Sequence, residues 1–338
     1  MIKKKIYFIA EIGVNHEANL KLAKKIILEA KLGGADAVKL QCYKAEKIAS
    51  KYAKSYWDKK EERETSQLKL YKKFDGFNSK EYIKIINYCK KIKIDFVITP
   101  FDIESVKIFK KKVKYFKISS SDITNFPLIK EIAKTKKPII LSTGASTLKE
   151  IENAIKLIKF NNNKISLLHC ILNYPTDRHD VNLNMIDSLK KFNLPIGISD
   201  HTKPKDSHDV LIYSIFKGIK IIEKHFTNNK TKKGNDHFHS FDKNDLKKFM
   251  AKVDDLYKIL GSERKTYLRS EISSRLNARR SLFYRKNLTK NHKILKNDII
   301  ALRPAIGISP INFNKIIGKK LNKNVKSGGI IKYTDFIR

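Results

Sequence analysis

Short apolar runs rich in β-branched residues recur along the chain, separated by stretches with helical periodicity. In order they are IYFIAEIG (6–13), AVKLQCY (37–43), FVITPF (96–101), YFKISS (115–120), PIILST (138–143), ISLLHC (165–170), LPIGISD (194–200) and IKIIEKHF (219–226). Strands that stay apolar at consecutive positions are buried on both faces, which points to a parallel sheet. Between them, LKLAKKIILEA (20–30), EYIKIINYCKKI (81–92) and LKEIENAIKLI (148–158) place apolar residues three and four apart, as amphipathic helices do. Eight such strand–helix units within residues 1–260 predict a closed (β/α)8 barrel of the α/β class.

Polar residues interrupt these runs near their C-terminal ends. Glu11, Lys39 with Gln41, Thr99, Lys117 with Ser120, and Ser142 mark the first five. His169 with Tyr174, Ser199 with Asp200 and His201, and Glu223 with His225 mark the last three. Packing alone gives no reason for all eight runs to do this, whereas the catalytic residues of such barrels sit at that end. A long polar connection, residues 44–78, contains Tyr52 and Trp57 and reads as a lid or substrate loop. Beyond residue 260 the pattern changes. A basic linker (261–280) leads into a small unit (281–338) with strand-like pieces SLFYRK and GGIIKY and a loop LRPAIGISP, expected to dock or dimerise.

The bulk properties narrow the class. A hydrophobic fraction of 41% supports a real core, and no run approaches the roughly 18–20 apolar residues of a membrane helix. The start, MIKKKIYFIAEIG, lacks a signal peptide's longer apolar stretch, so a cytoplasmic protein is expected. Cys42, Cys89 and Cys170 form no CxxC pair, which argues against a disulfide framework or zinc ribbon. The formal charge of +38 raises nucleic-acid binding, but the lysines are scattered over nearly every helix. We read it as composition bias that leaves a basic surface drawing in anionic substrates, without a nucleic-acid or membrane partner.

Two histidines, His201 and His225, end adjacent runs. Neighbouring parallel strands lie about 4.8 Å apart, so both imidazoles can reach one divalent ion such as Mn, Co, Fe or Zn. Lys39 and Lys117 stand inside apolar strands, where an unpaired ammonium is costly. They call for an anion, with Ser120, Ser142 and Ser199 as further donors; a substrate carrying both phosphate and carboxylate fits. Glu11, Glu223, Asp200 and Asp236 are the acid–base or hydroxyl-binding candidates.

The strings AEIGVNHEANL, ADAVKLQCY, ITPFD, FKISSSDITNFPL, PIILSTGAST, LLHCILNYPT, IGISDHT and IIEKHFT together resemble the N-acetylneuraminate (sialic acid) synthase family, which includes legionaminic and pseudaminic acid synthases. The tail, with RRSLFYRKNLTK and LRPAIGISP, resembles the antifreeze-like (SAF) domain that closes members of that family. The resemblance implies condensation of phosphoenolpyruvate with N-acetylmannosamine or a related acetamido sugar, releasing phosphate. By the same motifs, His201 and His225 would hold Mn2+ or Mg2+, which would polarise the aldehyde oxygen and position water. Lys117, Ser120, Ser142 and Ser199 would bind phosphate, and Lys39 the carboxylate. Glu11, Gln41, Tyr174 and Asp236 would address sugar hydroxyls or water, and Glu223 would lie beside the reacting carbons, with Thr99 as a further substrate contact. Arg303 would reach the partner's site in a domain-swapped homodimer. Leu172 stands where these synthases often carry a phosphate-binding asparagine, and Asn173 is the alternative one residue along. Three other readings compete: a synthase of the same chemistry acting on a phosphorylated sugar, an aldolase using Lys117 as a Schiff base, and a basic non-catalytic nucleic-acid-binding protein.

Overall fold

The computed structural model describes residues 6–57, 59–60, 62–234 and 236–337, in two compact units, Met1–Ile259 and Leu260–Arg338. The first unit is the expected barrel. Strands β1 (Tyr7–Gly13), β2 (Ala37–Cys42), β3 (Asp95–Pro100), β4 (Tyr115–Ile118), β5 (Ile139–Ser142), β6 (Ile165–Cys170), β7 (Ile196–Asp200) and β8 (Ile221–His225) pair in sequence order, all parallel. β1 closes the circle against β8, with Glu11 opposite His225.

Helices follow where their sequences cap and pattern them. The first, α1 (Leu20–Gly33), starts at Asn19, whose side chain accepts from the Leu22 amide, and buries Ala23, Ile26, Ile27 and Ala30. Its stop is Gly34, at φ +106°, a left-handed conformation that glycine adopts without a Cβ penalty. Between β2 and β3 lie α2 (Ala45–Ile48), α3 (Gln67–Phe74) and α4 (Ser79–Lys91), and after β3 and β4 come α5 (Ile103–Phe109) and α6 (Phe126–Lys134). A capping box of Thr147 and Glu150 opens α7 (Leu148–Lys159), followed by α8 (Met185–Lys190), α9 (Pro204–Phe216) and α10 (Lys243–Leu260).

Strand alternation builds the barrel interior in two layers. The lower is apolar: Ile9, Ala37, Val97, Ile140 and Leu168 pack together, with Tyr7, Tyr115 and Ile221 against them. Two residues further along the same strands, on the same face, stand Glu11, Lys39, Thr99, Ser142, Cys170 and Glu223. The other parity faces outward: Phe8, Val38, Ile98, Phe116, Leu141, Leu167, Ile198 and Ile222 join the large core between sheet and helices. Alanine or anything larger at Gly197 would put its Cβ 2.3 Å from the Ile221 carbonyl oxygen, so β7 needs glycine there to sit against β8.

In the second unit, α11 (Ile272–Ala278) precedes β9 (Ser281–Tyr284), which pairs antiparallel with β10 (Ile299–Leu302). Leu282, Tyr284, Ile299, Ile316, Leu321, Ile331 and others form its own core, with the short helix α12 (Phe313–Ile316). The stretch 261–280, expected as a linker, contains α11. GGIIKY runs beside β9 through the bridge from Ile330 to Phe283, with the Ile331 amide donating to the Leu282 carbonyl, while the IIAL segment forms the β10 ladder partner.

Candidate functional site

The upper layer of barrel residues surrounds an inner cavity of about 40 Å³. Glu11, Lys39, Gln41, Thr99, Lys117, Ser120, Ser142, Tyr174, Ser199, His201, Glu223 and His225 all line it. Gln41, Phe101, Ser119, Tyr174 and His225 also line a second cavity of about 390 Å³, so the two adjoin. Asp236 lies on the wall of the second. Arg303 is exposed in the small unit, just after β10.

Charge dominates the inner cavity. The Lys39 ammonium lies 2.7 Å from Glu11 Oε2, 3.8 Å from Glu223 Oε1 and donates to Thr99 Oγ1 at 3.1 Å. Lys117 and the Ser199 hydroxyl donate to Glu223 Oε1 at 3.1 and 2.9 Å, and the Gln41 amide to Glu11 Oε1 at 3.4 Å. Both lysines are almost wholly buried, with about 4% of each side chain exposed, so these carboxylates are what keep them there. The two acids are pushed apart. Burial raises the Glu11 carboxyl above its ordinary range against the pull of Lys39. Burial acts the same way on Glu223, but Lys117, Lys39 and the Ser199 hydroxyl overcome it and hold that acid down to about 2. Burial lowers Lys117, with the Lys39 charge adding to the effect, whereas Glu11 and Glu223 outweigh burial and raise Lys39. Ser142 Oγ is buried with no hydrogen-bond partner, a donor aimed at the cavity and left for something that enters it.

The outer cavity has another character. Val14, Ile48, Leu70, Phe74, Phe101, Leu172 and Phe238 supply apolar wall, and Tyr56, Trp57, Tyr71 and Tyr174 aromatic wall. Its charged side chains among the described residues are acids, Glu62, Asp122 and Asp236, with no lysine or arginine. Much of this wall comes from the 44–78 connection, which holds α2 and α3 and is pinned by the Trp57 indole donating to the Glu64 carbonyl at 3.1 Å. Leu172 lines this cavity, and Asn173 is exposed.

Where the cavities meet, three histidine rings gather around Tyr174. Ring centroids of His201 and His225 lie 5.3 Å apart, and those of His225 and His239 lie 4.8 Å apart. His201 Nδ1 sits 2.8 Å from the Ile171 carbonyl oxygen, an acceptor only, so the proton is on Nδ1 and the Nε2 lone pair is free. Burial drives this imidazole down to about 3, keeping it neutral. A neutral imidazole with its far nitrogen anchored on a carbonyl is how metal-binding histidines are held. His225 Nδ1 is buried without a hydrogen-bond partner and faces Asp236 Oδ2 at 3.3 Å. The divalent ion that the family resemblance implies therefore fits these residues.

His239 went unnoticed in the sequence because it follows the last strand in a single 3-10 turn, His237–His239. The signal was the Asp-x-x-His spacing of Asp236 and His239 in GNDHFHS. Conversely, Asp200 is no acid–base group of the cavity. It has the outward parity of β7, and its carboxylate takes Lys224 Nζ at 2.8 Å and the Thr202 hydroxyl at 2.9 Å. His169 also points outward, donating to the Val181 carbonyl at 2.7 Å.

Comparison with known proteins agrees with this geometry. The family model described as "NeuB family" matches residues 26–265, and that of the SAF domain residues 279–337. The N,N'-diacetyllegionaminic acid synthase of Campylobacter jejuni is 38% identical, over 97% of this chain and 99% of its own length. The enzyme of the same name from Legionella pneumophila is 37% identical over 95% and 92%. Among solved structures, the N-acetylneuraminic acid synthetase of Leptospira borgpetersenii, in complex with citrate, superposes with a TM-score of 0.70 at 33% identity, covering 80% of this chain and 90% of that one.

Proposed function

The chain belongs to the NeuB family and closes with a SAF domain, and from that premise we propose that it condenses phosphoenolpyruvate with a neutral acetamido sugar, a 2,4-diacetamido-2,4,6-trideoxy hexose before N-acetylmannosamine. The product is a nonulosonic acid of the legionaminic type, and inorganic phosphate leaves. The observation that carries the acceptor assignment is the outer cavity, apolar and aromatic, with acids as its only charged groups among the described residues. A methyl group and two acetamido methyls bury favourably against such walls, at about 0.8 kcal/mol per carbon. A sugar phosphate would meet Glu62, Asp122 and Asp236 instead of a cation, which disfavours the phosphorylated acceptor.

In this reading Lys117, Ser120, Ser142 and Ser199 hold the phosphate of phosphoenolpyruvate, and Lys39 with Thr99 its carboxylate. Gln41, Tyr174 and Asp236 orient the acceptor, and Arg303 is supplied by the partner of a domain-swapped dimer. His201 and His225 would hold a divalent ion, which would supply Lewis-acid polarisation of the acceptor carbonyl. The enol carbon bonds to the aldehyde carbon, water adds to the neighbouring enol carbon, and the C–O bond to phosphate breaks. Glu11, raised by burial, is suited to hold a proton for the former aldehyde oxygen. Glu223, held ionised, balances Lys39 and Lys117 and keeps them aimed at the anion. The tail, residues 281–338, serves as a completing domain, with the barrel in 1–260 carrying the chemistry.

Incubating the purified protein with manganese, phosphoenolpyruvate and the diacetamido sugar should release one phosphate per nonulosonic acid formed. Oxygen-18 placed in the bridging position should end in that phosphate. Phosphate release without sugar, or none with either sugar, would contradict the proposal.

A further inference from the structure

His239 is buried to 0% exposure, yet neither of its ring nitrogens has a hydrogen-bond partner. Burying two such polar atoms without partners is costly, so this ring is held for a purpose packing does not explain. Its neighbour in the same turn, His237, makes the contrast: Nδ1 pairs with the Thr227 hydroxyl at 2.7 Å and Nε2 faces Glu17 at 3.3 Å. His239 instead has Nε2 3.8 Å from Asp236 Oδ1. One donor atom from each of His225, Asp236 and His239 lies within 4.8 Å of the other two. Bond lengths near 2.1 Å put ligand atoms about 3–4 Å apart around one ion, so small side-chain rotations close the shell.

The loop after β8 is built to hold that arrangement. The Phe241 amide donates to the His225 carbonyl at 2.8 Å, and Ser240 Oγ to the Asp236 carbonyl at 2.5 Å. The Asn15 amide, in the β1 turn, donates to Ser240 Oγ at 3.2 Å and to the Phe226 carbonyl at 3.1 Å. The segment therefore returns across the barrel mouth and brings Asp236 and His239 to His225.

We propose that Asp236 and His239 ligate the divalent ion together with His225, so that this chain adds a carboxylate and a third imidazole to the strand-end pair of His201 and His225. This rests on the metal-dependent reading above and goes beyond its His201–His225 pair. Three imidazoles and a carboxylate favour Mn2+, Fe2+, Co2+ or Zn2+ over Mg2+, an ion that prefers oxygen donors and keeps its waters.

The test is metal binding itself, read without catalysis. Full-length protein is stripped with chelator and titrated with Mn2+ while free ion is followed by electron paramagnetic resonance, alongside His239→Ala, His239→Asn and His201→Ala, with melting of each apo protein as the folding control. The expected result is that both His239 variants melt like wild type without metal but bind Mn2+ at least about tenfold more weakly. Wild-type protein with Mn2+ should show histidine nitrogen coupling that falls in whichever His239 variant folds. Unchanged affinity and coupling in either folded variant, with weakening in His201→Ala, would overturn the three-residue set and leave the two-histidine site standing. Wild-type protein that binds no Mn2+ would sink the metal reading and this inference with it. Should neither His239 variant fold, the count of coupled histidine nitrogens decides: three in wild type falling to two in His201→Ala supports the set, and two falling to one overturns it.

Discussion

The two halves of the cavity are made from the same strand ends and nearby loops, yet they ask for opposite ligands. In the inner part, Lys39 and Lys117 are buried among hydroxyls and carboxylates. In the outer part, the wall among the described residues is tyrosine, phenylalanine, leucine and tryptophan with three acids. A buried ammonium is kept only where an anion is expected, and an acid-rimmed apolar wall is kept only where one is not. The division assigns the phosphate- and carboxylate-bearing substrate to the depth of the barrel and the neutral sugar to its mouth, with the histidines at the boundary where the new bond forms.

The comparison breaks most visibly at Lys117. Replacing it with methionine should lower kcat/KM by roughly 10²–10³, the loss typical of removing a preorganised electrostatic contact, measured by phosphate release. The effect should fall on phosphoenolpyruvate and leave the acceptor KM within about twofold.

Next comes Glu223, which faces both lysines. Glu223→Gln leaves two buried cations with one fewer partner and should cost about 3 kcal/mol in denaturant unfolding at neutral pH. The sign with pH follows from its depressed acidity. A carboxyl at about 2 when folded, against an ordinary 4.5, stabilises the fold above pH 4.5 and loses that contribution as the pH falls toward 2. The gap between wild type and variant should therefore close across that window, and a gap that widens on acidification would contradict the charge assignment.

On the outer side, Trp57→Ala should raise the acceptor KM about tenfold, near 1.4 kcal/mol of lost contact, without changing that of phosphoenolpyruvate. The smallest effect belongs to Asn173, exposed beside the cavity. Asn173→Ala should change neither KM by more than about twofold, whereas a large rise for phosphoenolpyruvate would restore an asparagine to the phosphate site.

The barrel was legible in the sequence because both-face burial leaves an unmistakable apolar run in each strand, and the polar residues breaking those runs mark one end. The parity of each run was equally readable: Glu223 and His225 share a face, so Lys224 between them must point out. What the sequence could not supply was the outward partner of Lys224. Asp200 is 24 residues away and meets it only because β7 and β8 pair in that register. His239 escaped for a related reason, since it reaches the site from a turn after β8 whose path depends on long-range bonds to Asn15 and His225. In the small unit GGIIKY and IIAL both lie beside β9, and only the fold shows that IIAL forms its ladder.

The division of the cavity is tested most directly by acceptor competition. With manganese and saturating phosphoenolpyruvate, phosphate release is measured with the 2,4-diacetamido-2,4,6-trideoxy hexose, N-acetylmannosamine and N-acetylmannosamine 6-phosphate in parallel. The account predicts the highest kcat/KM for the diacetamido sugar, a lower value for N-acetylmannosamine and the lowest for the phosphate ester. A preference for the 6-phosphate would contradict it, because the outer wall would then have to bind a dianion beside Glu62, Asp122 and Asp236.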